Sequence, residues 1–306
     1  MGEKPPVGVI GLGSMGMGAA QSLVRAGFTT WACDVRDTAR NAFEAAGGCI
    51  AADPKDLGSK VKILLIFVVN ADQTDEVLFG SQGAVHSLAP GSVVVASATI
   101  APAFAEGLGR RLADKGLSLL DAPVSGGAAK ARAGEMTVMA SGAAAAFAAT
   151  EEVLAAIASK VYRLGEAPGA ASKVKMINQL LAGVHIAAAC EAMALGIQSG
   201  CDPKVLYDVI CDCAGSSWMF QNRVPHILSG DYTPLSAVNI FVKDLGIVLE
   251  QGKAARLPLP LSAVAHQMYL HAAAAGFGGD DDSSVIKIFP GVTLPQRNPS
   301  VEKRTG

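Results

Sequence analysis

The feature that most constrains this chain is a glycine-spaced hexapeptide between an apolar run at Val7–Ile10 and a helical stretch. Its residues are Gly11, Leu12, Gly13, Ser14, Met15 and Gly16. A chain with 34 glycines can produce this spacing by accident, as a plain glycine turn, but the preceding strand and following helix are typical of a dinucleotide-binding loop. Gly11 would permit the tight turn, Gly13 the approach of a pyrophosphate, and Gly16 close packing of helix on strand. The loop therefore predicts a dinucleotide site at a helix N-terminus.

A carboxylate follows the second predicted strand. Asp34 comes eighteen residues after Gly16, where an acidic side chain can accept hydrogen bonds from the ribose hydroxyls of NAD and repel the 2′-phosphate of NADP. Arg36 would partly offset that repulsion, and an ordinary strand-end aspartate is the alternative. The sequence favours NAD.

The order of elements predicts an α/β fold. Six apolar runs alternate with amphipathic helical segments in the first half, which is the pattern of a parallel sheet covered on both faces. These runs are Val7–Ile10, Phe28–Cys33, Val61–Val69, Ser92–Ala96, Leu117–Asp121 and Met136–Ala140. The helical segments are Ala19–Ala26, Thr38–Ala46, Ala103–Ala113 and Ala144–Ala158. We therefore expect an N-terminal Rossmann domain, a doubly wound sheet, over residues 1–165.

The second half shows no strand pattern. One long helical segment, Gly169–Gly200, is expected to run between the domains, and Asp202-Pro203 forms the N-cap and first position of the next helix. Further helices are predicted near Ser217–Leu228, Val238–Ala255 and Leu261–Ala274. An all-α domain should thus span 166–291, followed by a loose polar tail over 292–306.

Composition excludes several classes of protein. Half of the residues are hydrophobic, 17% are charged and the net charge is −2, which argues against disorder and against a nucleic-acid binder. No apolar run reaches the roughly 18–20 uncharged residues expected of a membrane span, so the high hydropathy predicts extensive burial. The N-terminal region lacks a secretory pattern, and we expect a cytoplasmic protein without a metal site. Its cysteines lack zinc-ligand spacing: Cys33, Cys49, Cys190, Cys201, Cys211 and Cys213.

A second signature follows the strand that ends at Asp121. Ser125 offers a hydroxyl, and Gly126 and Gly127 offer unobstructed backbone N–H groups, which together could form a nest for a carboxylate. A bare turn is the alternative. Its position at a strand end in a nucleotide-binding fold favours a binding role.

Two lysines on the long helix face different sides. Lys173 shares its face with apolar residues, whereas Lys175 shares its face with small or polar residues, among them Asn178 and Gln179. A cleft between domains would lie on the polar face, so Lys175 and Asn178 are candidate site residues. A solvated charge is the alternative for any single helical lysine.

These motifs resemble the β-hydroxyacid dehydrogenase family, which includes 3-hydroxyisobutyrate dehydrogenase and tartronate semialdehyde reductase. Four segments match in order: Gly11–Gly16, Asp121–Gly127, Gly169–Gln179 and Lys243–Leu245. The resemblance implies catalysis by Lys175, substrate-carboxylate binding at Ser125, Gly126 and Gly127 with Asn178 nearby, and Thr99 and Lys243 close to the cofactor. It also implies a homodimer or homotetramer. The chain departs from the family at Ala170, where a glycine is usual, and in the loop Val68-Val69-Asn70, where many members have a proline.

Within the family, residues 216–226, 232–234 and 239–244 resemble the branch that oxidises C2 of the four-carbon sugar acid L-threonate. Ser216, Asn222 and Asn239 would suit a polyhydroxylated substrate, although each could equally be a helix cap or a surface residue. Tartronate semialdehyde and 3-hydroxyisobutyrate are the alternative substrates.

The reaction expected from the resemblance is hydride transfer to NAD, with Lys175 accepting the hydroxyl proton. No metal is required, because the lysine replaces a Lewis acid. A non-catalytic dinucleotide-binding module is the alternative of another class, and the presence of Lys175 argues against it.

Overall fold

The structure is a computed structural model that describes residues 4–296. It contains two compact units, one ending at Met176 and the other beginning at Ile177. The division falls inside a single long helix, later along the chain than the predicted boundary at residue 165.

The first unit is built on a six-stranded parallel sheet. Its strands are β1 Val7–Ile10, β2 Thr30–Cys33, β3 Cys49–Ile50, β4 Ile63–Ile66, β5 Val93–Ala96 and β6 Ser118–Asp121. They lie in the order β3-β2-β1-β4-β5-β6, and every neighbouring pair is parallel. This is the strand order of a Rossmann fold, which confirms the predicted fold class and places the switch point of the sheet between β1 and β4.

In the described part of this unit, seven α-helices and a short 3-10 helix, Ala84–His86, accompany the sheet. The α-helices are α1 Ser14–Arg25, α2 Asp37–Ala45, α3 Pro54–Gly58, α4 Ala71–Phe79, α5 Pro102–Ala113, α6 Gly127–Ala133 and α7 Ala144–Ile157. Successive strand residues point to opposite faces, so Leu65 packs with Leu23 of α1, while Leu64 and Ile66 pack with Leu78 of α4 and Leu108 of α5. Both faces of the sheet are therefore covered, as the continuous apolar strands predict.

A second, smaller sheet departs from the prediction. It contains β7 Val124–Ser125, β8 Met136–Ala140 and β9 Ala158–Arg163. Strand β7 pairs with β8 in antiparallel orientation, and β8 pairs with β9 in parallel orientation. The expectation that Met136–Ala140 joins the main sheet is wrong, and β7 and β9 were not predicted. Strand β9 follows α7 directly, without glycine or proline, and most of its residues are exposed, so it lacks the apolar pattern that marks the other strands.

The helices that form the second unit agree with the all-helical prediction. They are α8 Ala170–Gln198, which begins in the first unit, α9 Pro203–Cys211, α10 Trp218–Ser229, α11 Val238–Ala255 and α12 Pro260–Ala272. A turn of π-helix, Ala273–Phe277, and a 3-10 helix, Asp282–Ile288, follow. The predicted cap of α9 is present, because Oδ1 of Asp202 accepts a hydrogen bond from the Val205 N–H at 2.8 Å.

The core of the second unit centres on a buried tyrosine. The ring of Tyr269 stacks on Phe241 with centroids 5.2 Å apart, and its hydroxyl donates to the Gly183 carbonyl at 3.0 Å. A side chain at Gly183 would contact Phe241 and Leu245 at about 3 Å, so this glycine allows α8 and α11 to pack closely.

The long helix α8 is apolar and long enough to cross a membrane by length and composition alone, with a mean hydropathy of 1.8 over an 18-residue window of which 39% is buried. Its longest uncharged run, residues 176–190, lies between Lys175 and Glu191 and is shorter than the roughly 18–20 uncharged residues expected of a membrane span. The core helix of a soluble protein passes the same test. Residues 292–296 of the predicted tail form neither helix nor strand, and the rest of the tail lies outside the described residues.

Candidate active site

The glycine loop has the backbone that a dinucleotide requires. Gly11 has φ +93°, and a side chain there would lie 2.7 Å from the Phe67 carbonyl oxygen; a side chain at Gly16 would overlap the Gly11 carbonyl. Gly13 differs, because a Cβ built on it meets no atom within 4 Å. No side chain caps the start of α1. The space over Gly13 and the N-terminus of α1 therefore fit the pyrophosphate of a dinucleotide.

Asp34 lies directly beside this loop. Its Oδ2 accepts a hydrogen bond from the Leu12 N–H at 2.6 Å, and its Oδ1 accepts one from the Arg36 N–H at 2.8 Å. The Arg36 guanidinium also pairs with the carboxylate at 3.0 Å and donates to the Leu12 carbonyl at 3.0 Å. Burial opposes ionisation of Asp34, but the hydrogen bonds from Arg36 and Leu12 lower its pKa. The carboxylate is thus ionised and fixed at the end of β2, where the ribose of a dinucleotide would bind.

Thr99 lies at the same edge of the sheet. It follows β5 by three residues and is half-buried, in the connection that leads to α5. Because β1 and β5 both neighbour β4 in parallel, the ends of these strands face the same way. The loop after β1 and the loop that holds Thr99 therefore share the crevice edge.

Ser125 and the two glycines after it form a strand-to-helix turn. Ser125 pairs with Thr137 in the small sheet, Gly126 has φ +125°, and Gly127 has φ +74° at the start of α6. A Cβ on Gly127 would meet nothing within 4 Å. The turn is thus open at Gly127, whereas a Cβ at Gly126 would lie 2.9 Å from the Lys130 side chain. A hydroxyl and backbone N–H groups in such a turn are the donors that a carboxylate site requires.

Gly18 connects this turn to the glycine loop and is not among the predicted site residues. A Cβ on Gly18 would lie 2.6 Å from the backbone of Ala131 and Arg132 in α6. Nearby, the Ser22 hydroxyl donates to the Ala131 carbonyl at 3.2 Å. The absence of a side chain at Gly18 lets α1 and α6 approach closely. In the sequence, the only indication of this role is that Gly18 is the fourth glycine in the segment that leads into α1.

The two lysines on α8 have different surroundings. Lys175 is buried, with 8% of its surface exposed. The side chain of Lys173 is 63% exposed and pairs with Glu106 at 3.4 Å. A solvated charge therefore describes Lys173 and does not describe Lys175.

A buried carboxylate not predicted as a site residue holds the start of α8. Asp121, at the end of β6, is fully buried, and its Oδ2 accepts hydrogen bonds from the Gly169 N–H at 2.8 Å and the Ser172 N–H at 3.0 Å. Burial raises its pKa, although the hydrogen bonds from Ser172, Gly169 and Ser141 partly offset the rise. These contacts span 48 and 51 residues of sequence, so no local pattern indicated them.

The remaining candidate residues lie in the second unit. Asn178 donates to the Gln179 side chain at 3.0 Å, and Gln179 donates to Oδ2 of Asp244 at 2.5 Å. Lys243 pairs with the other oxygen of Asp244 at 2.6 Å. Asp244 is buried and so fixes both Gln179 and Lys243. The structure therefore links Lys243 directly, and Asn178 through Gln179, to one carboxylate that is not among the predicted site residues.

Among the described residues, neither a cluster of metal-ligating side chains nor a reactive thiol accompanies this site. Within residues 4–296 no three His, Cys, Asp or Glu side chains form a group that could hold a metal ion. Burial, together with the charge of Asp53, raises the pKa of Cys33 to about 11. This thiol, although next to Asp34 in sequence, stays protonated and is a poor nucleophile.

Family comparisons agree with the two-part organisation. Residues 6–165 match the family described as the NAD binding domain of 6-phosphogluconate dehydrogenase. Residues 169–289 match the family described as NAD-binding of NADP-dependent 3-hydroxyisobutyrate dehydrogenase.

Individual relatives match over almost the whole chain. L-threonate dehydrogenase of Cupriavidus necator is 65% identical over 289 residues, covering 94% of this chain and 97% of the relative. L-threonate dehydrogenase of Escherichia coli K12 is 54% identical, covering 96% and 98%.

A solved structure, described as 3-hydroxyisobutyrate dehydrogenase from Salmonella typhimurium, is 54% identical with a TM-score of 0.90 and covers 94% of this chain and 100% of its own. These similarities agree with the glycine loop and the ionised Asp34. The chain therefore belongs to the β-hydroxyacid dehydrogenase family, the group that includes 3-hydroxyisobutyrate dehydrogenase, and is an NAD-dependent hydroxyacid dehydrogenase.

Proposed function

We propose that this enzyme oxidises L-threonate at C2 to 2-oxotetronate, with Lys175 as the general acid and base. The observation that carries the proposed role of Lys175 is its burial in the same unit as the dinucleotide loop. A buried amine on a rigid helix is suited to exchange a proton with a bound hydroxyl, whereas an exposed amine such as Lys173 is solvated.

The bound nicotinamide supplies the hydride acceptor. The residues of this chain then bind and orient the hydroxy acid and move one proton. Nζ of Lys175, as a neutral amine, takes the proton of the C2 hydroxyl while the hydrogen on C2 leaves with its electron pair. In the reverse direction the ammonium returns the proton to the carbonyl oxygen.

The substrate carboxylate is assigned to the turn at Ser125, Gly126 and Gly127. Backbone N–H groups of residues with positive φ, together with a hydroxyl, form a concave site for an anion. Asn178 is assigned to a substrate hydroxyl because Gln179 holds its amide by a hydrogen bond. Thr99 and Lys243 are assigned to the cofactor side of the site.

The choice of L-threonate rests on the similarity to the L-threonate dehydrogenases. The polar residues singled out in the sequence give it little further support. Ser216 accepts a hydrogen bond from Gln221 at 3.0 Å, Asn222 accepts one from Arg223, and Asn239 is exposed. Each of these residues therefore has a local structural explanation.

A second substrate follows from the solved structure described as 3-hydroxyisobutyrate dehydrogenase, with its 54% identity. That substrate also carries a carboxylate and a hydroxyl, but its only hydroxyl is on C3 rather than C2, and C2 carries a methyl group instead of a hydroxyl. Tartronate semialdehyde reduction is the corresponding alternative in the reverse direction.

We also propose that the enzyme is a homodimer or homotetramer. Helix α8 exposes Ile177 at 51%, Leu181 at 51% and Leu195 at 69% of their surfaces, and large apolar side chains in water favour association. Light scattering with size-exclusion chromatography should give a mass at least twice the 31.1 kDa of the chain. A monomer at micromolar concentration would contradict this proposal. The cytoplasmic location stays a prediction from the sequence.

The substrate assignment is tested by following NADH formation with L-threonate, D-glycerate and 3-hydroxyisobutyrate under identical conditions. We expect kcat/KM for L-threonate to exceed the other two by at least tenfold, since a polar site loses binding when a hydroxyl partner is missing. A higher value with 3-hydroxyisobutyrate or D-glycerate would replace L-threonate by that substrate.

A further inference from the structure

Asp121 is a fully enclosed acidic side chain at the start of the helix that carries Lys175. None of its surface is exposed. Its Oδ2 accepts from the N–H groups of Gly169 and Ser172, and its Oδ1 accepts from the Ser172 hydroxyl at 2.8 Å. The Ser141 hydroxyl lies 3.4 Å from Oδ2. The carboxylate is thus surrounded by donors from two separate parts of the first unit.

These donors include N–H groups that have no partner within a helix. The first N–H groups of any α-helix lack an intrahelical acceptor. In α8 the N–H of Ser172 is satisfied by Asp121, and the N–H of Ala171 is satisfied by the Ser141 hydroxyl at 3.0 Å. Asp121 and Ser141 are themselves joined by two backbone hydrogen bonds, at 3.0 and 2.9 Å. The first turn of α8 is therefore fixed to the end of β6 through a rigid pair.

Asp121 is connected to both elements of the proposed site, the lysine on α8 and the Ser125–Gly127 turn. Lys175 lies one helical turn beyond Ser172, on the same side of α8. In the other direction, the backbone of Asp121 continues directly into residues 122–127, the segment that ends in the Ser125–Gly127 turn. One side chain therefore sets the position of the lysine relative to the start of that segment.

An apolar side chain at position 121 would leave the N–H groups of Gly169 and Ser172 without this acceptor, but it would avoid the free-energy cost of burying a charge. Burying a carboxylate costs free energy, which its hydrogen bonds only partly return. A charged anchor at this point thus gives directional hydrogen bonds to one helix terminus in a way that packing alone would not.

We propose that Asp121 is a positioning residue of the dehydrogenase reaction: it holds the first turn of α8 so that the Lys175 amine is kept in register with the Ser125–Gly127 turn. The proposal rests on the proposed role of Lys175. Asp121 itself does not transfer a proton. Its effect should therefore be on turnover rather than on cofactor binding.

The test compares Asp121→Ala with Asp121→Asn, and Ser172→Ala with Ser92→Ala. An asparagine oxygen can still accept from both N–H groups while its amide donates to the Ser172 hydroxyl, so Asp121→Asn is the conservative variant. Ser92 is a matched control for Ser172, because it is equally buried and its hydroxyl has no hydrogen-bond partner among the described residues.

We expect Asp121→Ala to lower kcat on the order of 100-fold, the loss that a misplacement of about 1 Å causes. Asp121→Asn should recover at least tenfold of that loss, and Ser172→Ala should lower kcat by about 3–10-fold while Ser92→Ala stays within twofold. The dissociation constant of NADH, measured by fluorescence, should remain within threefold in every variant. Amide hydrogen exchange at Gly169 and Ser172 should accelerate in Asp121→Ala.

A folded Asp121→Ala protein with kcat within twofold of the wild type would overturn the proposal. The proposal would also be overturned if Asp121→Ala weakened NADH binding by the same factor as it lowered kcat, because equal losses would indicate general damage to the structure of the first unit. If Asp121→Ala does not fold, Ser172→Ala decides, and a kcat equal to that of Ser92→Ala overturns the proposal.

The failure of the proposed function would look different. In that case Lys175→Ala remains active, or the wild type turns over none of the hydroxy acids. The anchor is then judged by hydrogen exchange alone, and unchanged exchange at Gly169 and Ser172 in Asp121→Ala refutes it.

Discussion

The guanidinium of Arg36 lies across the carboxylate of Asp34, with Nε 3.0 Å from Oδ1 and Nη2 3.2 Å from Oδ2. The same guanidinium donates to the carbonyl of Leu12 in the glycine loop. Arg36 therefore neutralises part of the charge that would repel the 2′-phosphate of NADP. More than half of its side chain is exposed, so it can move to meet a ligand.

This relationship predicts that Arg36→Ala sharpens the preference for NAD. Without the guanidinium, the charge of Asp34 acts unscreened on a 2′-phosphate, so the dissociation constant of NADP should rise at least tenfold while that of NAD stays within threefold. Isothermal titration calorimetry with each cofactor measures both values. Equal changes for the two cofactors would show that Arg36 does not discriminate between them.

A substitution at Gly13 should affect cofactor binding without affecting folding stability. A Cβ there meets no protein atom within 4 Å and the backbone is in an ordinary region, φ −69°. We expect Gly13→Ala to unfold within about 2 °C of the wild type but to bind NADH at least 30-fold more weakly, because the methyl group occupies the space that the pyrophosphate needs. Thermal unfolding and fluorescence titration test the two parts.

Gly279→Ala is the control for this variant, since a Cβ at Gly279 is equally unobstructed and the residue lies outside the glycine loop. It should change neither stability nor NADH binding. Normal NADH affinity in Gly13→Ala would mean that the pyrophosphate does not lie against this glycine.

A buried ion pair in the second unit makes stability depend on pH. Nε of Arg223 lies 2.6 Å from Oδ1 of Asp282, and burial raises the pKa of Asp282 to about 6 in spite of the arginine. The unfolded chain titrates this carboxyl near 3.8. Between these two values the folded state holds a proton that the unfolded state has released. Asp282 therefore contributes stability that is fully present at low pH and is lost as the pH rises through about 6.

The free energy of unfolding in urea, measured at pH 7 and pH 5, tests this sign. The wild type should gain about 1 kcal/mol at pH 5 relative to the double variant Arg223→Gln/Asp282→Asn, in which this group cannot titrate. A wild type that instead loses stability relative to the double variant would mean that the ion pair lowers, rather than raises, the pKa of Asp282.

Local chemistry explains which parts of the fold could be predicted from the sequence. Strands such as Ile63–Ile66 are continuous apolar runs, and Gly11 and Gly16 are required by contacts within a few residues of the same loop or with the adjacent strand. The N-cap at Asp202 is likewise a contact between residues three apart. These features depend on neighbours in sequence, and the structure confirms them.

Long-range contacts explain the parts that were missed. Strand β7 has only two residues, and its pairing with Thr137 depends on the turn at Gly126. The role of Asp121 depends on N–H groups about 50 residues away. Gly18 faces a helix more than 100 residues later in the chain. A sequence pattern shows which residues are polar or small, but it does not show which distant backbone they meet.

The central claim concerns the buried amine on α8 and is tested most directly by Lys175→Ala. NADH formation from L-threonate should fall at least 10³-fold, because loss of the proton acceptor removes general base catalysis and one positioned polar group. The dissociation constant of NADH should remain within threefold, and Lys173→Ala, at the exposed lysine two residues earlier, should retain at least half of the wild-type rate. A Lys175→Ala enzyme that is as active as Lys173→Ala would contradict the account.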